Sequence, residues 1–201
     1  MQVAHSTNVI PRDARHRRTE RTRERIAKAM TALIYEGCES PRTTDIARRA
    51  GVSPRTVFHH FKDMETLYSE IIRQTEPRVA RLIVSLDPNS TLHNRADSLI
   101  EQRFEIYRLI APLRRAVRAS NEARTSPAIL EAGRRLQHVL ARHAAETFAA
   151  ELRGKPDRFG ALERIAAVTS FETWNHFVNV QRLGASRTKR HMMLVVMREF
   201  V

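Results

Sequence analysis

Residues 43–68 constrain the fold of this chain more than any other segment. Two short helical patterns flank a turn in which Gly51 permits a left-handed backbone and Val52 fills the corner between the helices. Ser53 is a favoured N-cap and Pro54 a favoured first helical residue, so the second of these helices has a defined start. The segment therefore predicts a helix-turn-helix.

The helix that begins at Pro54 is short and carries Arg, Thr and His residues near its start. Its spacing predicts that Val57, Phe58 and Phe61 pack inward. The residues left largely outside are then Pro54, Arg55, Thr56, His59 and His60. A short helix with such an outer face suits the major groove of DNA.

The rest of the chain also predicts helices, so the expected fold class is all-α with about nine helices. Only six of the 201 residues are Gly, and no Asn-Gly or Asp-Gly hairpin turn occurs. After a flexible basic arm over 1–18, helices are predicted at about 19–36 (or from 22), 43–50, 54–61, 63–86, 91–110, 112–122, 127–152, 157–183 and 186–200. Pro77 is expected to kink or break the fourth.

A formal net charge of +13 points to a polyanionic partner, most simply double-stranded DNA. No apolar run of about 18 residues predicts a membrane span, and the first 25 residues show no secretory signal, so a cytoplasmic protein is expected. With Cys38 as its single cysteine, the chain offers no disulfide framework. Catalytic and metal-binding motifs such as H-E-x-x-H are absent, so we expect no enzyme activity, no cofactor and no metal.

The helix-turn-helix resembles that of the tetracycline-repressor-like (TetR) family of bacterial transcriptional regulators, most clearly over about residues 19–72. The positions that match the family pattern are Ile46, Ala47, Ala50, Gly51, Val52, Ser53, Thr56, His60 and Phe61. The resemblance implies that the first three helices bind DNA and that the fourth links them to a helical regulatory domain. It also implies that the last two helices form a homodimer. The expected divisions are a helix-turn-helix domain over 19–66 and a regulatory and dimerisation domain over 67–201.

Three positions depart from the family pattern. A Thr is usual where Arg42 stands, a Tyr where Phe58 stands and a Lys where Met64 stands; Lys62 is the nearest substitute for that Lys. With these changes, the predicted DNA-binding residues are Arg42, Thr43, Thr44, Ser53, Pro54, Arg55, Thr56, Phe58, His59, His60 and Lys62. The Arg residues of the arm region have two interpretations, contact with DNA or a solvated tail; they are Arg17, Arg18, Arg21 and Arg23.

The resemblance places an effector site in the C-terminal half, where the aromatic residues are candidates for its lining. Phe171, Trp174, Asn175 and Val178 are spaced to share one helical face. The candidate effector-binding residues are Phe104, Tyr107, Phe171, Trp174, Asn175 and Val178, and the alternative for each is an ordinary core position. The effector is not specified by the sequence. The Arg residues between 103 and 118 suit either an anionic ligand or a solvated face.

The last segment, 191–201, is apolar almost all round, which predicts burial on several sides. One stripe is expected to meet its own domain and the other a partner. The predicted dimer interface contains Phe177, Met192, Met193, Val195, Val196 and Phe200. These expectations describe a homodimeric repressor released from a palindromic operator by a small-molecule effector, nucleoid-associated when bound to DNA; the alternative is an architectural DNA-binding protein without an effector.

Overall fold

The computed structural model describes the backbone of residues 12–201 and the side chains from residue 16 onward. Its first helices are α1 (Arg12–Tyr35), α2 (Thr43–Ala50), α3 (Pro54–His60), α4 (Met64–Leu82) and α5 (Leu92–Ala119). They are followed by α6 (Pro127–Thr147), α7 (Ala149–Arg153), α8 (Arg158–Val168), α9 (Phe171–Asn175) and α10 (Ala185–Arg198). No strand occurs in this part of the chain, and the all-α prediction is confirmed.

The start of α1 differs from the predicted boundary between arm and helix. Residues 12–18, predicted as part of a flexible arm, are helical, while residues 1–11 lie outside the described residues. The physical reason is that Arg has a high helix propensity and no Gly or Pro interrupts the chain between Arg12 and Thr19. The first helix therefore extends towards the N-terminus beyond its predicted start.

Two prolines lie within helices instead of ending them. Pro77 lies inside α4, which continues to Leu82, and Pro112 lies inside α5, so the helices predicted at 91–110 and 112–122 are one. A proline inside a helix costs about 3 kcal/mol. Packing outweighs this cost in α5, because the helix buries side chains both before and after Pro112.

The helix predicted over 157–183 is divided, with a break at Thr169 and Ser170. The hydroxyl of Ser170 accepts a hydrogen bond from the amide of Thr173 (3.2 Å), which starts α9 anew. After α9 the chain continues as a π-helical turn over His176–Val180. The predicted i, i+3, i+4, i+7 face is therefore not carried by one regular α-helix, and Val178 lies in the π-helical turn.

Helix α5 contributes to each of the three hydrophobic clusters formed by the described residues. The N-terminal cluster joins residues of α1–α4 to Leu113 and Ala116 of α5. A central cluster contains Phe104 and Tyr107 of α5, and a third contains Leu99. Since α5 spans about 40 Å at 1.5 Å per residue, it connects the helix-turn-helix to the C-terminal helices. The predicted boundary between residues 66 and 67 stays a prediction.

Candidate nucleic-acid interface and ligand cavity

The turn between α2 and α3 has the backbone geometry that the sequence predicts. Gly51 adopts φ 63° and ψ 41°, in the left-handed region that favours glycine. The amide of Val52 donates to the carbonyl of Ala47 (3.0 Å), which closes the turn. In addition, a guanidinium nitrogen of Arg25 in α1 donates to the carbonyl of Ala50 (2.5 Å). This contact to the end of α2 was missed in the sequence, because it joins residues that are distant along the chain.

The start of α3 is fixed by its cap. The hydroxyl of Ser53 accepts a hydrogen bond from the amide of Thr56 (3.1 Å), and the two hydroxyls lie 2.8 Å apart. Pro54 occupies the first turn, where its missing N–H group costs nothing. Ser53 and Thr56 therefore position the helix, in addition to their predicted role as DNA contacts.

Val57 of α3 and Phe61, the residue that follows the helix, point inward and are buried. The prediction that Phe58 also packs inward is wrong, because its side chain is 57% exposed. Adjacent residues of a helix point about 100° apart, and here Val57 takes the direction of the core while Phe58 points away from it. Arg55, Phe58 and His59 are exposed together on the outside of α3.

The C-terminal end of α3 is held against α1 by Arg23. One guanidinium nitrogen of Arg23 donates to the carbonyl of His60 (2.5 Å), and the guanidinium carbon lies 4.4 Å from the centroid of the Phe61 ring. Neither interpretation of the arm residues, DNA contact or solvated tail, includes this role for Arg23. Together with Ser53, this contact fixes α3 at both ends.

The surroundings of His60, at the end of α3, shift the pKa of its imidazole. Partial burial, then the neighbouring His59 and Arg23, lower its pKa, while Glu20 raises it to a smaller extent. The rings of His59 and His60 meet edge to face with centroids 5.4 Å apart. His60 is therefore mainly neutral at pH 7, and a nearby polyanion would favour its charged form.

The remaining predicted DNA-binding residues lie at the starts of α2 and α4. Arg42 and Thr44 are exposed and Thr43 is half-buried at the beginning of α2. Lys62 is exposed between α3 and Asp63, whose carboxylate caps α4 by accepting from the amide of Thr66 (2.8 Å). The exposed cation of Lys62 thus stands at the end of α3, as the sequence predicts for a contact with a DNA backbone.

A cavity of about 340 Å³ lies between α5, α6, α8 and α9. Two of the predicted effector-binding residues, Tyr107 and Phe171, line it. Phe104 and Trp174 are buried in the core behind these rings, and Asn175 and Val178 are not among the lining residues, so these four do not line this cavity as predicted. The reason is that the chain bends at Ser170, so only the start of α9 faces the cavity.

The polar groups of the cavity include residues for which the sequence predicted no specific role. The hydroxyl of Tyr107 donates to the carbonyl of Thr169 (2.6 Å), and burial raises its pKa above the usual value. The guanidinium of Arg114 lies 4.1 Å from the centroid of the Phe171 ring and pairs with Glu172 (2.8 Å). Arg103 is buried at the same cavity. The cluster of Arg residues between 103 and 118 was the only sign of these cations in the sequence.

The burial of side chains on α10 differs from the predicted dimer interface. Met192 and Val196 are completely buried within the protomer, and Phe200 packs against Phe148 with ring centroids 5.1 Å apart. The prediction that Met192 and Val196 face a partner is therefore wrong, because both residues fill the hydrophobic core of their own domain. Phe200 is half-buried against that core, and its place in an interface stays a prediction. The partner-facing stripe was misplaced because hydrophobicity alone does not distinguish the two sides of such a helix.

The opposite side of α10 exposes apolar side chains. Leu194 and Val195 are 56% and 39% exposed, and they line a groove of about 250 Å³ with Phe177, Val168 and His191. The imidazole of His191 stacks on Phe177 with centroids 5.8 Å apart. Two predicted interface residues, Phe177 and Val195, therefore lie on this surface, and Met193 is half-buried against the core.

A helix-turn-helix whose second helix has an exposed outer face is the arrangement with which many DNA-binding proteins enter the major groove. Residues 26–71 match the family described as bacterial regulatory proteins, tetR family. The N-terminal helices of this chain therefore contain a DNA-binding domain of the TetR type over residues 26–71. No helix of residues 12–201 is long and apolar enough to cross a membrane.

Solved structures share the fold over almost the whole chain. A transcriptional regulator from Rhodococcus sp. Rha1 has 16% sequence identity and a TM-score of 0.67, over 88% of this chain and 94% of its own. A putative TetR-family regulator from Mesorhizobium loti MAFF303099 has 22% identity and a TM-score of 0.60, over 90% and 96%. The multidrug binding protein EbrR, solved with imidazole, has 20% identity and a TM-score of 0.60, over 99% and 98%. No curated protein matches the sequence.

Proposed function

We propose that this protein is a homodimeric repressor that binds a palindromic operator and is released from it by a small-molecule effector. The observation that carries the proposal is α3, a short helix fixed at both ends whose outer face exposes Arg55, Phe58 and His59. A fixed helix can present its side chains to base edges with a reproducible register. A protein of this kind acts on chromosomal DNA in the bacterial cytoplasm and is nucleoid-associated while bound.

The proposed roles of the exposed residues follow from their positions on α3. Arg55 is the second residue of the helix, and its guanidinium can donate two hydrogen bonds to O6 and N7 of a guanine. Lys62 lies beyond the C-terminal end, where a phosphate is the natural partner of its ammonium group. Arg55 is accordingly proposed to read sequence and Lys62 to add affinity.

The cavity between α5, α6, α8 and α9 is the proposed effector site. Its volume of about 340 Å³ lies within the range of about 300–1,000 Å³ that is usual for small-molecule sites. Its walls combine aliphatic side chains with the rings of Tyr107 and Phe171. The structurally similar EbrR is a multidrug binding protein solved with imidazole, which supports ligand binding in a fold of this type.

Helix α5 offers a physical connection between this cavity and the DNA-binding domain. The hydroxyl of Tyr35 in α1 donates to the carbonyl of Leu109 (2.6 Å), and that of Tyr68 in α4 donates to the carbonyl of Ala116 (3.2 Å). Tyr107, which lines the cavity, precedes Ala116 by about 14 Å along the helix axis. A ligand that displaces α5 would move these anchors, and with them the separation of the two α3 helices in a dimer.

The proposed dimer uses the exposed face of α10 together with Phe177. A two-fold symmetric pair would place its α3 helices about 34–36 Å apart, over successive major grooves of a palindrome. The groove lined by Leu194 and Val195 is an apolar surface that a second copy of the same helix could cover.

The test is a nuclease protection assay on the promoter DNA next to the coding sequence of this protein, with and without candidate ligands. We expect a protected palindrome of two half-sites and the loss of protection when an effector is added. An architectural protein without an effector would instead protect DNA of any sequence, and no ligand would release it. That result would contradict the proposal.

A further inference from the structure

Arg103 is a buried cation without a carboxylate partner among the described residues. Its side chain is among the most buried in the protein, with an exposed fraction of 1%. One guanidinium nitrogen donates to the carbonyl of Leu140 (2.7 Å), and another lies 3.5 Å from Nδ1 of His143. Both partners are uncharged or weakly basic, so neither compensates the positive charge.

A second buried arginine of α5, Arg95, has a carboxylate partner and serves as a comparison. Arg95 pairs with the carboxylate of Glu151 and also donates to the carbonyls of Thr147 and Ser90. Burial of a cation is unfavourable unless a counter-charge and hydrogen bonds replace the lost water. Arg95 has these partners and Arg103 lacks the counter-charge, so the two sites differ in kind.

The other charged groups at the cavity do not supply the missing charge. Glu172 is an acidic residue that lines it, and its carboxylate already pairs with Arg114 (2.8 Å). His143 is buried beside Arg103, and both its burial and the guanidinium lower its pKa, which favours the neutral imidazole. A histidine has no negative form near neutral pH, so it cannot compensate the charge of Arg103. The cavity therefore has an excess of one positive charge, provided by the guanidinium of Arg103.

The walls around this charge are largely apolar. The lining includes the rings of Phe171 and Tyr107 and the aliphatic residues Leu136 and Leu140 of α6, and α8 contributes Ala166 and Ala167. The volume of about 340 Å³ is at the small end for ligand sites. Such a cavity suits a small molecule with a single anionic group and an apolar body.

We infer that the cavity binds a small organic acid whose carboxylate pairs with Arg103 and whose apolar body lies against Phe171. This inference rests on the proposed function, because it gives the chemical class of the effector. A guanidinium binds a carboxylate through two parallel hydrogen bonds, which would provide both the missing counter-charge and a fixed orientation.

The test uses the wild-type protein without DNA and four probes: benzoate, hexanoate, benzamide and hexanamide. Trp174 is the single tryptophan of the chain and its ring lies 5.6 Å from that of Phe171, so its fluorescence reports on the cavity. At constant ionic strength we expect at least one carboxylate to bind about tenfold or more tightly than its amide. Equal binding of acid and amide, or no response to either acid at millimolar concentration, would overturn the inference.

Two variants then test whether Arg103 is the group that binds the carboxylate. Arg103→Met should abolish the preference for the carboxylate without lowering the thermal unfolding temperature, because it replaces an uncompensated buried charge by an apolar side chain of similar length. Arg108→Met, on the exposed side of α5, is the matched control and should bind as wild type. A carboxylate preference that persists in Arg103→Met would overturn the assignment. Arg103→Lys, which retains the charge, should keep the preference with weaker binding.

These experiments separate the ligand class from the proposed function. If neither acid binds but another compound releases the protein from its operator, the carboxylate inference fails and the ligand-responsive repressor stands. If an acid binds at Arg103 but no ligand changes DNA binding, the proposed release mechanism fails and the binding site stands.

Discussion

The hydroxyl of Tyr68 in α4 donates a buried hydrogen bond to the carbonyl of Ala116 in α5, across 3.2 Å. Tyr68 belongs to the cluster formed by α1–α4, and Ala116 is one of the residues of α5 that pack in that cluster. The bond therefore joins the DNA-binding domain to the helix that also lines the cavity. Burial raises the pKa of Tyr68 to about 12.

Tyr68→Phe should lower the free energy of unfolding by about 1 kcal/mol at pH 8, because it removes one buried hydrogen bond and little volume. Since the unfolded phenol ionises near pH 10 and the folded one near pH 12, the contribution of Tyr68 is complete below pH 10 and declines as the pH rises towards 12. Urea denaturation at pH 8, 10 and 11 measures the free energy of unfolding of wild type and variant. The difference between these two free energies should become smaller as the pH rises. A difference that grows with pH would contradict the assignment.

Arg55→Ala and Lys62→Ala should have distinct effects on DNA binding. Loss of Arg55 should relax the preference at one base pair of each half-site, worth about 1–3 kcal/mol of discrimination. Loss of Lys62 should weaken binding to all DNA sequences alike. It should also reduce the slope of log affinity against log salt concentration by about 0.9. Binding to a library of half-site variants at several salt concentrations measures both.

The control for these two variants is Arg153→Ala, which removes an exposed arginine on α7. It should leave the sequence profile unchanged. If Arg55→Ala also keeps the wild-type profile, Arg55 contacts a phosphate and the base contact is wrong.

DNA binding should strengthen as the pH falls from 8 to about 6, because a nearby phosphate raises the pKa of a histidine above its value in the free protein. In the free protein, burial and the neighbouring His59 and Arg23 lower the pKa of His60, so its imidazole must gain a proton when a phosphate approaches. Affinity measured at constant salt for wild type and His60→Gln tests this. The variant should lose part of the pH dependence, and identical curves would show that His60 does not approach DNA.

Val195→Glu should convert the proposed dimer into a folded monomer, because it places a charge in the exposed groove of α10. Val196→Glu should unfold the protein, since Val196 is completely buried in its own domain. Sedimentation and thermal unfolding distinguish the two outcomes. Leu130→Glu, at an exposed apolar position of α6, is the control and should stay dimeric. A wild-type protein that is monomeric at micromolar concentration would exclude this interface.

The sequence by itself determined the helix-turn-helix. The left-handed Gly51, the cap of Ser53 and the first-turn Pro54 act through contacts between residues close in the chain, so their spacing predicts the turn and the start of α3. The family resemblance follows from the same residues. The periodicity of apolar residues predicted that Phe58 packs inward, but its side chain is exposed. A helix of seven residues has too few positions for periodicity to define one apolar face.

The tertiary structure decided which apolar or charged residues are available to a ligand or partner. Met192 and Leu194 belong to the same apolar segment, and only packing against α5 and α8 separates the buried one from the exposed one. Likewise, Arg103 and Arg108 are equivalent in the sequence, whereas in the fold one is buried at a cavity and the other is exposed. Such differences arise from contacts between helices distant in the chain, which no local pattern encodes.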